Sequence, residues 1–141
     1  PRYEVFQPEY NLYDRQGFED GVGPICREHG LGVIVYFALA KGFLTGKYRN
    51  EDDLGKSVRG RGIKGYLDER GLRTLKALDE TAEKHGVSQA AVSLAWLMAK
   101  PPVTAPIASA TKAHHLKSFA EAAGIRLDAD DMAKLDTASA Y

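Results

Sequence analysis

Apolar positions along the chain change their period several times, and each change marks an element. Residues 5–12 form the first extended candidate, although Pro8 would interrupt a hydrogen-bonded ladder in its middle. From residue 17 to 29 the period becomes helical. Phe18, Val22, Ile25, Cys26 and His29 recur at spacings of three and four, and Gly30 is a natural stop. GVIVYF, residues 32–37, is continuous and β-branched, as suits a parallel strand covered on both faces. Helical spacing returns over 68–85 through Leu72, Leu75, Leu78 or Asp79, and Ala82, with Gly86 as its end. Ser88 then caps AAVSLAWLMAK, which is apolar nearly all round and should be buried on more than one side, up to Pro101 and Pro102. VTAPIA, residues 103–108, is another short buried-strand candidate. Residues 112–123 read as a helix with Leu116, Phe119, Ala120 and Ala123 inward, closed by Gly124. A last helix starts at Asp128 and buries Met132 and Leu135.

Residues 38–66 carry no sustained period and are punctuated by glycines. A loop of that length in a compact domain is usually functional or mobile. It holds Lys56, Arg59, Arg61 and Lys64 with no acid between the first and the last. Two readings stand for it, a solvated surface loop and an anion-facing lid. The order is thus strand, helix, strand, long loop, two helices, strand, two helices. Strands alternating with helices imply right-handed crossovers and a parallel sheet, so the fold class is α/β. Three parallel strands buried on both faces leave two open edges, and the chain reads as part of a larger sheet.

Composition narrows the function classes. A length of 141 residues taken alone favours one domain. Lys plus Arg and Asp plus Glu are each 19, so the net charge is zero. That balance disfavours a nucleic-acid binder held by backbone neutralisation and a polybasic membrane anchor. The basic loop also lacks aromatic residues on which bases could stack. Cys26 is the single cysteine, so no internal disulfide can form, and a reducing compartment fits. There is neither a long apolar span nor a secretory leader pattern, and the expected location is cytoplasmic. The sequence opens on Pro1 rather than Met, which leaves a processed or partial chain open.

In parallel α/β folds ligands bind beyond the carboxyl ends of the strands. The stretches to inspect are therefore 7–13, 36–44 and 109–115. The second, within YFALAKGFLTGKY, puts a tyrosine at a strand end, then small residues and two glycines that let backbone approach a ligand. The third, SATKAHH, puts Ser109, Thr111 and Lys112 where a strand gives way to a helix N-terminus, a place suited to an anion.

QPEYNLYDR, GLGVIVYFALAKGFLTGKY, AAVSLAWLMAK and VTAPIASATKAHHL, in that order, resemble the last part of an aldo-keto reductase. The resemblance covers about residues 7–135. It implies part of a TIM-type (β/α)8 barrel, its sixth to eighth strands with their helices, so that residues 1–141 would be the incomplete carboxyl-terminal part of one barrel domain. Such a barrel typically needs about 250 residues. It further implies NADPH as cofactor and a small-molecule carbonyl as substrate. By the resemblance, Gln7 bonds the nicotinamide carboxamide and Tyr36 stacks on its ring. Phe37, Ala38 and Leu39 line the pyrophosphate, and Gly42, Leu44, Gly46 and Lys47 continue that loop. Ser109, Ala110, Thr111 and Lys112 match the segment for the adenosine 2′-phosphate, and His115 lies beside the adenine.

The sequence departs from the family pattern in places. Phe37-Ala38 replaces the usual Ser-Pro, Ser109 stands where glycine is common, and Phe119 stands where an asparagine is common. The family's tetrad of Asp, Tyr, Lys and His belongs to earlier strands, and no tyrosine here lies in the matching context. No catalytic residue is assigned. A non-enzymatic nucleotide-binding or interaction module derived from the same fold is the alternative.

Other chemistry-bearing residues have plainer readings. His29 and His85 suit helix C-termini. His114 and His115 are adjacent and lack the i, i+4 spacing of a metal pair. Cys26, Trp96 and Met98 read as core. The isolated chain is expected to self-associate through its open strand edges.

Overall fold

The central strand is β2, Gly32–Val35, flanked by β1, Val5–Phe6, and β3, Val103–Pro106. All three are parallel, in the order β1-β2-β3. The computed structural model describes residues 1–56 and 60–141, apart from the side chain of Arg61. β1 is much shorter than the extended candidate over 5–12. Beyond Pro8, which has no N–H to give, one further bridge joins Glu9 to Tyr36. Between β2 and β3 the register slips by a residue. Thr104 is the residue passed over, and its hydroxyl accepts the Val33 N–H at 3.1 Å in place of a carbonyl.

Burial corrects the expectation of strands covered on both faces. Val33 and Val35 are buried while Gly32 and Ile34 are half-buried, so β2 has one covered face. β1 is exposed, and Thr104 and Ala105 of β3 are exposed. The outer edges of β1 and β3 have no strand beside them among the described residues.

The helices are α1, Gly23–Glu28, α2, Glu69–His85, α3, Gln89–Met98, α4, Ala113–Gly124, and α5, Ala129–Ala138. A π-helical turn, Gly17–Val22, leads into α1. Its i→i+5 bonding shifts the phase of the helix face. Phe18 and Cys26 are buried as expected, but Ile25 and His29 are exposed. Asp68 caps α2 by accepting the Gly71 N–H at 2.7 Å, and left-handed Gly86 ends it. Leu75, Leu78 and Ala82 point inward, whereas Leu72 is exposed. On that side Gly71 lies against the Tyr66 carbonyl, where no side chain would fit. Residues 90–97 of α3 are all buried, Trp96 among them, but Met98 at its end is exposed.

α4 differs most from its expected face. Ala122 is buried and Phe119 half-buried, while Leu116, Ala120 and Ala123 are exposed. The helix is turned by polar contacts. Ser88 bonds Ser118 at 2.9 Å and donates to Glu121 at 3.1 Å, which brings the 118–122 side against α3. α5 opens with a capping box between Asp128 and Asp131, buries Leu135 and Ala138, and packs on α2.

The described parts of this stretch, 38–56 and 60–66, are built from short 3-10 turns that pack into the core rather than forming an open loop. Ala38, Ala40, Phe43, Leu44, Tyr48, Ile63 and Tyr66 are all buried there. Lys56 pairs with Asp53 at 2.6 Å and Lys64 with Glu51 at 3.2 Å, as the surface reading has it. Arg59 and the side chain of Arg61 lie outside the described residues.

The two ends of the chain are joined through Arg15, which is only 8% exposed. Its guanidinium bonds Glu19 at 2.9 Å and Ser139 at 2.7 Å, and it lies 5.0 Å from the Trp96 ring centre. The Trp96 indole donates to Asp136 at 2.9 Å, and Asp136 also holds Lys100 at 2.6 Å.

Candidate functional site

Because the three strands are parallel, their carboxyl ends lie together. Gln7 follows β1, Tyr36 follows β2, and Ser109–Lys112 follow β3 after a short extension. The backbone keeps Tyr36 between its neighbours: its N–H donates to the Pro8 carbonyl at 3.0 Å, and Ile107 N–H donates to the Val35 carbonyl at 2.8 Å. Gln7 is exposed, Tyr36 is 37% exposed and Phe37 46% exposed. The Tyr36 and Phe37 rings meet edge to face, 5.2 Å between centres.

Beyond Tyr36 the backbone enters a succession of left-handed conformations. Phe37 has φ 51°, Ala40 46°, Lys41 58°, Gly42 101° and Gly46 77°. For residues with a Cβ this region costs roughly 1–2 kcal/mol each, and such strain clusters at functional sites. Hydrogen bonds hold the turn: Ala40 N–H to the Phe37 carbonyl at 2.7 Å, Gly42 N–H to Leu39 at 2.8 Å, and the Thr45 hydroxyl to Gly42 at 2.7 Å. Buried Ala38, Ala40, Phe43 and Leu44 anchor it from beneath, and Leu39 is half-buried.

Gly42 is required by its backbone, at φ 101°, since a Cβ there would meet Lys47 only at an ordinary 3.6 Å. Gly46 is left-handed and crowded as well. A Cβ on Gly46 would come within 2.8 Å of the Arg49 guanidinium. Arg49 is engaged there in a two-pronged pair with Asp79 at 2.8 and 2.7 Å, and Gln89 donates to Asp79 at 2.9 Å. This clamp ties the turn to α2 and α3.

Ser109, Ala110, Thr111 and Lys112 are exposed, and Lys112 precedes α4 without a side-chain cap bond. His115 is half-buried. Its Nδ1 accepts the Thr111 N–H at 3.3 Å, which leaves the proton of the neutral ring on Nε2. Burial, the neighbouring His114 and the positive charges of Lys112 and Lys47 hold the His115 pKa below the usual histidine value. Lys47 lies in the turn after β2 and Lys112 in the segment after β3. The His114 and His115 rings touch edge to face at 4.5 Å. Among the described residues no cluster of three or more His, Cys, Asp or Glu could hold a metal.

The sequence model of the Aldo/keto reductase family matches residues 2–140. The chain belongs to this family. L-glyceraldehyde 3-phosphate reductase of Escherichia coli O157:H7 is 34% identical over 140 residues, which is 94% of this chain and 40% of that protein. A probable voltage-gated potassium channel subunit beta of Oryza sativa subsp. japonica is 33% identical over 118 residues, covering 79% of this chain and 36% of that one. Among solved structures, the thermostable aldo-keto reductase Tm1743, crystallised with the inhibitor epalrestat, aligns at a TM-score of 0.67 with 27% identity. That alignment covers 94% of this chain and 38% of the other. The chain thus spans about 40% of the length of the curated aldo-keto reductase relatives it matches. No described helix is long and apolar enough to cross a membrane.

A cavity of about 460 Å³ lies over the segment that follows β1, lined by Phe6, Pro8, Glu9, Tyr13, Arg70 and Tyr141 among others. None of the residues named above for cofactor binding lines it. Those residues follow the strand ends, outside this groove. One group in this region has no role in the sequence reading: Asn11, fully buried, reaches from the segment after β1 to the turn after β2.

Proposed function

We propose that the chain is the carboxyl-terminal, cofactor-binding part of an NADPH-dependent oxidoreductase that reduces aldehydes or ketones to alcohols. On this reading its strands are the sixth to eighth of a (β/α)8 barrel, and residues 1–141 are one incomplete part of that domain. The observation that carries the reading is that Gln7, Tyr36 and Ser109–Lys112 all follow the carboxyl ends of one three-stranded parallel sheet, with a run of left-handed residues in the turn after β2.

The residues present fit the cofactor. Exposed Tyr36 offers a ring on which a flat nicotinamide can stack, and Gln7, exposed at the end of β1, can bond its carboxamide. Gly42 and Gly46 let the turn's backbone come close to a pyrophosphate, with Phe37, Ala38, Leu39 and Leu44 forming its walls and Lys47 adding charge. Ser109, Ala110, Thr111 and Lys112 open α4, where free N–H groups and the ammonium suit a 2′-phosphate. His115, neutral and flat, is fitted to lie beside an adenine. Bound NADPH would supply the hydride. This chain's part is to hold the ring at a fixed height and to keep the backbone side dry with Ala38, Ala40 and Leu44.

The open edges bear on the rest of the protein. Tyr3, Val5 and Phe6 at the β1 edge and Ile107 past β3 are exposed apolar groups that preceding strands would cover in a complete barrel. The same edges support self-association of the chain by itself. They also keep the second reading open, in which the fold serves as an interaction module. Turnover with an aldehyde panel by a longer form that carries the preceding strands separates the two.

The direct test is NADPH fluorescence on this chain and on Lys112→Met. The variant should bind NADPH about tenfold more weakly, from loss of a charge-assisted phosphate contact, and NADH unchanged. Equal losses for both cofactors, or no NADPH binding by the chain or its longer form, overturn the reading.

A further inference from the structure

Asn11 is fully buried, and its side chain uses all of its hydrogen-bonding capacity. Oδ1 accepts the N–H groups of Tyr13 at 2.8 Å and Asp14 at 2.9 Å. These two backbone donors settle which end of the amide is oxygen. Nδ2 then donates to the Asp14 carboxylate and to the Phe37 carbonyl, each at 3.1 Å. The last bond crosses from the segment after β1 to the turn after β2. It falls on the carbonyl of the first left-handed residue in that turn, Phe37 at φ 51°. The same carbonyl takes the Ala40 N–H at 2.7 Å, and Ala40 is itself left-handed. A bulky residue does not rest in this region unaided. Here two donors aim at one carbonyl, one from within the turn and one from a buried amide whose own place is fixed by two backbone bonds.

We propose that Asn11 is a positioning residue: its amide holds the Phe37 carbonyl, and through it the left-handed turn that presents the Tyr36 and Phe37 rings at the strand ends. As a statement about cofactor affinity, this rests on the reading of that region as a nicotinamide dinucleotide site. Asn11 touches neither ring. It acts by keeping the backbone between them and the phosphate-side turn in one conformation, so that the ordering cost is met before a ligand arrives.

Asn11→Asp is the discriminating substitution. The carboxylate keeps both acceptor roles toward Tyr13 and Asp14 but has no proton for the Phe37 carbonyl. NADPH affinity is expected to fall about tenfold, the effect of losing both donor bonds of the amide, to the Phe37 carbonyl and to the Asp14 carboxylate, and of setting oxygen against oxygen in their place. Amide hydrogen exchange of Ala40 and Gly42 should accelerate, with α2 and α3 unchanged. Phe37→Gly supplies a residue that takes the left-handed region without help. In that background Asn11→Asp should cost less affinity than it does alone, because the clamp's task at residue 37 has gone while the disturbed Asp14 contact is common to both. Additive effects of the two substitutions, or wild-type affinity and exchange in Asn11→Asp, refute the proposal. Should Asn11→Asp fail to fold, wild-type exchange decides: the amides of Tyr13, Asp14 and Ala40 open as one unit if Asn11 joins the two segments, and independently if it does not. A wild-type chain that binds no NADPH would sink the cofactor reading alone, since the exchange measurements still show whether Asn11 holds the turn.

Discussion

Asp131 → Asn tests how the last helix is held. Asp131 is 2% exposed, lies in the first turn of α5, and receives three kinds of partner. Lys84 reaches one oxygen at 2.7 Å, His85 Nε2 the other at 2.7 Å, and the Asp128 N–H donates at 3.2 Å. Burial by itself pushes the carboxyl up, but the bonds from Lys84, His85 and the Asp128 backbone outweigh it and hold the group at about 2, against an ordinary 3.8. A carboxyl held that far below its unfolded value contributes about 2 kcal/mol of stability. The sign follows from the depression. The contribution is complete above about pH 5, declines as pH falls below about 4, and is gone once the folded group itself protonates near pH 2. Asparagine keeps the shape and the capping acceptor but not the charge. Urea unfolding read by Trp96 fluorescence should therefore show the variant about 2 kcal/mol less stable at pH 7, with the gap closing between pH 4 and pH 2. Remote carboxylates titrate alike in both proteins and cancel in the difference, while Asp128, whose carboxyl the Asp131 charge pushes up, shifts with the substitution. Equal stability at pH 7, or a gap that does not change down to pH 2, refutes the account.

Two further substitutions probe the rest of the frame. Trp96→Phe removes the indole donor from Asp136 and part of the surface on which Arg15 and Lys100 lie, so unfolding followed by circular dichroism should show a loss of about 2–3 kcal/mol. No loss would mean that Lys100 and Arg15 satisfy Asp136 without the indole. Gly46→Ala places a Cβ in a left-handed residue and against Arg49, and should cost about 2 kcal/mol, while Gly124→Ala, in open space at the end of α4, should be neutral or stabilising by up to about 1 kcal/mol. Thermal unfolding of the two variants side by side checks the contrast, and equal effects would show that backbone conformation at residue 46 is not what requires glycine.

The order of elements and the parallel sheet were legible in the residues. Unbroken β-branched GVIVYF, the caps Asp68, Ser88 and Asp128, and the glycine stop at Gly86 are local signals that short-range sterics and hydrogen bonding enforce. Spacing puts Leu72 and Leu116 inward, and Met98 reads as core, yet each is exposed, because a period says which residues share a side and not which neighbour that side meets. On α4 the neighbour is chosen by Ser88 with Ser118 and Glu121, a contact across about 30 residues that no local pattern contains. The π turn over 17–22 shifted the face of α1 for a similar reason.

What the sequence by itself determined is the alternation of strand and helix, the places where helices stop, and, through four motifs in order, the aldo/keto reductase family later matched over residues 2–140. What only the tertiary structure decided is how the strand ends are held. The left-handed residues Phe37, Ala40 and Lys41 carry no glycine to announce them, and their conformations are sustained from outside the segment, by buried side chains beneath it and by Asn11 from the neighbouring strand end. Local propensity acts over a few residues. The positions of these groups are set by packing and hydrogen bonds between segments tens of residues apart, which exist once the chain has folded.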